Sequence, residues 1–100
     1  MQDANEFEQA AAEYEKVLAQ DPNNVEALAG AGLSLVTVGY TSGDKTKFQQ
    51  AANYLQKFDE LAPATHRYKA DGSIKATIET LKKEQNVTPQ KGGATKKKTD

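Results

Sequence analysis

Apolar residues recur along this chain at the three- and four-residue spacing of helix faces. In residues 3–20 the stripe is Phe7, Ala10, Ala11, Tyr14, Val17 and Leu18, opposite Glu6, Glu8, Glu13, Glu15 and Lys16. Asp3 and Glu6 have capping-box spacing. Residues 24–39 are apolar nearly all round, which predicts a central helix touched on several sides. Gly30 and Gly32 each cost about 1 kcal/mol relative to alanine inside a helix. The expected compensation is close approach of a neighbouring helix. The competing reading of Leu33–Tyr40 is a valine-rich strand, but the flanking periodicity is helical. Gly39 is expected to end this helix, followed by a polar loop over 40–47 that contains the turn pair Gly43-Asp44. A third helix follows over 46–61 with Phe48, Ala51, Ala52, Leu55 and Phe58 on one face. Tyr68, Ile74, Ile78 and Leu81 predict a more polar fourth helix over 65–85, interrupted at Asp71-Gly72-Ser73 by either a kink or a true break, with one continuous helix the favoured reading.

Prolines punctuate the pattern. Asp21-Pro22-Asn23-Asn24 stops the first helix, because proline cannot continue one, and Asn23 or Asn24 can cap the next. Leu61-Ala62-Pro63 stops the third in the same way. Pro22 and Pro63 lie 41 residues apart, and the segments before them match: Phe7/Phe48, Ala10/Ala51, Ala11/Ala52, Tyr14/Leu55 and Val17/Phe58. The first and third helices therefore read as copies of one unit.

Composition narrows the function. The 100 residues suit one domain, with a helical part over 1–85 and a flexible basic tail over 86–100. The net charge is −1, which favours neither nucleic acid nor a membrane. The tail contributes Lys91, Lys96, Lys97, Lys98 and Asp100, leaving the helical part acidic. No run approaches the roughly 20 apolar residues of a membrane span, and no signal peptide is visible. There is no cysteine. The cytoplasm is the default compartment on these grounds, without fixing it. His66 is the sole histidine and reads as a surface or capping residue, so no transition-metal set can be assembled. Glu13/Glu15 and Asp59/Glu60 read as solvated helix surface rather than catalytic pairs. Gly92-Gly93 lacks the context of a phosphate loop, and Lys96-Lys97-Lys98 reads as a solvated run. Asn86-Val87-Thr88 is a glycosylation sequon weakened by Pro89. No cofactor is expected, and no nucleophile–base pair points to an enzyme.

Over residues 5–63 the chain resembles the tetratricopeptide repeat (TPR) family, which stacks antiparallel helix pairs at a roughly 34-residue period. Phe7, Ala10, Tyr14 and Pro22 resemble the second helix of a repeat, and Leu28, Ala31, Gly32 and Leu35 the first helix of the next. Phe48, Ala51, Leu55 and Pro63 complete that repeat. The longer spacing here is expected to place about seven extra residues in its inter-helix loop. The resemblance implies an all-α fold of antiparallel helix pairs in right-handed superhelical stacking, about one and a half repeats long, closed by a capping helix. It implies a protein–protein interaction module that holds a peptide or partner helix on the face of helix 24–39. Ala29, Leu33, Val36 and Tyr40 would line that groove. The alternative it implies is self-association, or membership of a longer array, through an uncovered first helix. The competing possibility for the groove is that the fourth helix or a second subunit covers it.

Overall fold

The computed structural model describes residues 4–87 of the chain. Among them every regular element is a helix: α1 (Ala4–Gln20), α2 (Val25–Ser42), α3 (Lys45–Leu61), α4 (Arg67–Ala70) and α5 (Ser73–Glu84). Asp3 and residues 88–100 lie outside the described range, and with them the capping box, Gly92-Gly93 and the lysine run.

The strand alternative is not realised, and α2 is central. It packs against α1 on one side and α3 on the other. Asn24 caps it, accepting the Ala27 N–H at 2.9 Å. The sequence expectation that Gly39 ends this helix is overturned, since α2 runs on to Ser42. Gly39 has a packing role instead: a Cβ there would lie 2.9 Å from the Phe48 ring. Ser42 Oγ donates to the Val38 carbonyl at 2.7 Å, stitching the final turn. The real stop is Gly43, left-handed at φ 74°, whose N–H reaches the Gly39 carbonyl. Asp44 then caps α3, accepting from the Thr46 N–H at 3.0 Å and from its hydroxyl at 2.6 Å. Those bonds hold the Asp44 carboxyl below the usual carboxylate range. The expected loop over 40–47 shrinks to Gly43-Asp44, and the longer spacing is taken up in the helices.

The predicted continuous helix over 65–85 is also corrected. Gly72 adopts φ 75°, and Asp71 Oδ1 accepts the Ser73 N–H at 2.8 Å. A left-handed residue cannot continue a right-handed helix, so α4 and α5 are separate. Lys69 Nζ ties the bend to the end of α3, donating to the carbonyls of Asp59 at 2.6 Å and Ala62 at 2.8 Å. A cation suits that negative helix end.

The core has two parts. One joins Leu18, Leu28, Ala31, Leu55, Phe58, Ile74 and Ile78. The other joins Ala11, Leu35, Phe48, Ala52 and Leu81. Full burial of side chains such as Phe58, Leu55 and Leu28 stabilises the fold by about 1.5–3 kcal/mol each. Gly32 permits a close helix contact: a Cβ there would collide with Leu55 and lie 3.3 Å from the Ala51 carbonyl oxygen. At Gly30 a Cβ would collide with the Tyr14 ring. The close approach expected at both glycines is present.

Candidate functional site

The four residues expected to line a groove on α2 have unequal surroundings. Ala29 is fully buried in the core and presents no surface. Leu33 is half-buried against the same cluster. Val36 is half-buried between the two clusters, and Tyr40 is 52% exposed. The reason is local. The start of α4 closes the N-terminal part of this face, while the C-terminal part stays open.

The closure is polar. His66 Nε2 lies 2.7 Å from Glu26 Oε2, and Arg67 Nη2 donates to Glu26 Oε1 at 3.4 Å. His66 Nδ1 accepts the Tyr68 N–H, capping α4. Nδ1 being the acceptor, the neutral tautomer leaves Nε2–H to donate to Glu26. The ring stands edge-on to Phe58 with centroids 4.9 Å apart. His66 is thus a capping residue as expected, and it also bridges α4 to α2 across 40 residues.

At the open end, Val36 and Tyr40 of α2 face Ala76, Thr77, Thr80 and Leu81 of α5 across a shallow cleft of about 240 Å³. Phe48 holds the Tyr40 ring edge-to-face, with centroids 4.9 Å apart. This pins a large exposed aromatic at the rim, which lowers the entropy a bound partner must remove. Val36 and Tyr40 are two of the four residues that the family resemblance placed on this face. The α5 wall required the bend at Gly72, which the sequence reading did not make.

A second surface lies on α1. Tyr14 is 38% exposed and Val17 42%. Val17 borders a cavity of about 410 Å³ with Glu13, Lys16, Gln20 and Asp21. A third cleft, of about 290 Å³, runs between α1 and α3 and is lined by Glu15, Leu18, Pro22, Leu28, Tyr54 and Lys57. There the Tyr54 hydroxyl donates to Glu15 Oε2 at 2.9 Å. Burial, with the hydrogen bond to Glu15 second, pushes the Tyr54 hydroxyl up to about 12. The expectation that Glu15 is plain solvated surface is corrected, since it is half-buried and bonded to α3.

Among the described residues no cluster of three or more His, Asp or Glu side chains is arranged to hold a metal ion. No described helix is long and apolar enough to cross a membrane. Comparison with protein-family models, with curated proteins and with solved structures finds no match.

Proposed function

We propose that this protein is a non-enzymatic protein–protein interaction module, a TPR-like stack that holds a peptide or helix in the cleft between α2 and α5. The observation that carries the reading is the open apolar rim at Val36 and Tyr40, set by Phe48 and faced by Ala76, Thr77 and Thr80. Antiparallel α2 and α3 with a glycine seam, followed by α5 packed along α3, support the TPR-like arrangement. An apolar cleft with threonine hydroxyls on one wall suits the apolar side of an amphipathic segment. A partner captured by the chain should perturb the NMR signals of Val36, Tyr40 and Thr80. Val36→Glu should abolish capture while the circular dichroism spectrum stays helical. Capture that survives Val36→Glu, with signals moving elsewhere, would move the site off this cleft.

A second reading rests on a separate observation, the exposure of Tyr14 and Val17 on α1. It makes the chain an assembly module that self-associates or stacks in a longer array through that helix. The two surfaces lie on different helices and do not exclude one another.

A further inference from the structure

One side chain at the start of α4 makes two bonds that respond to a proton in opposite ways. The His66 side chain is only 10% exposed. Its Nδ1 accepts the Tyr68 N–H at 3.3 Å, and its Nε2 lies 2.7 Å from Glu26 Oε2. The neutral ring serves both, accepting at one nitrogen and donating from the other. Histidine is the side chain whose charge ordinarily changes between about pH 5 and 8. With a proton added, both ring nitrogens carry hydrogen, and Nδ1–H confronts the Tyr68 N–H. Turning the ring brings no relief, since either nitrogen is then a donor. The bond to Glu26 changes in the other direction, because a charged donor holds a carboxylate more strongly. One proton therefore strengthens the link to α2 and removes the side-chain cap of α4.

The groups around the ring leave that exchange to His66. From α2 it meets Glu26, whose other oxygen Arg67 of α4 reaches at 3.4 Å. From α3 it meets the uncharged Phe58 ring edge-on. Asp59, the next residue of α3, gives its carbonyl to Lys69 of α4. In α5 the first acid is Glu79, 3.8 Å from Lys82. Carboxylates, lysine and arginine ordinarily titrate outside the range of histidine.

The cap matters because α4 has four residues and few bonds. The N–H groups of Lys69 and Ala70 reach the His66 carbonyl, and that of Tyr68 reaches the ring. Tyr68 packs against the same core cluster as Leu33 of α2. We infer that His66 makes α4 an acid-sensitive cover over the N-terminal part of the α2 face. On taking up a proton, the ring gives up the Tyr68 cap and keeps Glu26. Residue 66 stays pinned to α2, and α4 beyond it loosens, held to α3 through Lys69. The open stretch at Val36 and Tyr40 then extends toward Leu33.

The test follows the full chain by NMR between about pH 7.5 and pH 5. At the upper end the His66 ring should show the Nε2–H tautomer. His66→Asn and His66→Ser keep a capping acceptor and do not ionise, so both should hold α4 unchanged across the range. Exchange of the Tyr68 amide in the parent chain, relative to His66→Asn at the same pH, should rise about three- to tenfold on acidification, as loss of a cap implies. Signals of Arg67, Lys69 and Ala70 should move toward unfolded positions, and the Tyr68–Phe58 ring contact should weaken while the His66–Glu26 contact persists. A Tyr68 amide that ignores pH, the same drift in both variants, or an Nδ1–H tautomer at the upper end would each overturn the inference. These readings need no partner, so their outcome is separate from that of the binding proposed for the cleft.

Discussion

Helices α1 and α3 carry nearly the same apolar face, yet one is finished and the other is not. On α3 the face is closed by α2 on one flank and by α4 and α5 on the other, and Leu55 and Phe58 reach zero exposure. On α1 the equivalent Tyr14 and Val17 remain open to solvent. The two faces share Phe7/Phe48, Ala10/Ala51 and Ala11/Ala52 and differ at Tyr14/Leu55 and Val17/Phe58, and their neighbours differ as well. A helix face specifies how much it can bury, and the rest of the chain specifies how much it does bury.

The largest effect that sharpens this comparison is Phe58→Ala. Phe58 is fully buried beside His66 and Tyr68, so its loss should cost about 3–5 kcal/mol in denaturant unfolding. Its repeat counterpart, Val17→Ala, should cost well under 1 kcal/mol, as surface substitutions do. Equal costs would break the contrast.

Next is Gly32→Ala. Helix propensity alone would stabilise it by about 1 kcal/mol. The collision with Leu55 and the 3.3 Å approach of the Ala51 carbonyl should reverse the sign, to a net loss of about 1–3 kcal/mol. Gly30→Ala should be milder, because the half-open Tyr14 ring can swing toward solvent. A stabilised Gly32→Ala variant would mean that the α2–α3 seam has room for a methyl group at Gly32.

Smaller again is Asn24→Ala, which removes the cap of α2 and should cost about 1 kcal/mol. The smallest effect links the two helices through pH. Tyr54 ionises at about 12 rather than 10, owing to burial and then the Glu15 hydrogen bond. In the unfolded chain it releases its proton first, so the protonated folded form is favoured below pH 10. That contribution should be lost as pH rises from 10 through 12. Comparing Tyr54→Phe with the parent chain across this window isolates it. An unchanged difference between the two proteins would place Tyr54 outside the α1–α3 contact.

Much of the fold was legible because it rests on local rules. Period-3.6 stripes located α1, α2 and α3, Pro22 and Pro63 located the stops of α1 and α3, and Asn24 proved to be the cap that its neighbours allowed. Gly39 and Gly72 were misread for opposite reasons. Gly39 follows an apolar run and looks like a stop, but it makes room for Phe48 from the next helix. Gly72 interrupts a plausible stripe and looks tolerable, but it takes a left-handed conformation that Asp71 stabilises through Ser73. The candidate site was legible only along α2. Tyr40 could be placed at its rim, while the burial of Ala29 and the walls from α4 and α5 depend on contacts across some 40 residues, such as His66 with Glu26. No periodicity within one helix carries that information.

The absence of cysteine allows the contrast between α1 and α3 to be measured directly. Single cysteines at Val17 and at Ala51 can be labelled with a thiol reagent under native conditions, each against its own unfolded rate. The account predicts near-unfolded reactivity at Val17→Cys and protection by orders of magnitude at Ala51→Cys. Protection at both positions, or free reaction at both, would contradict it.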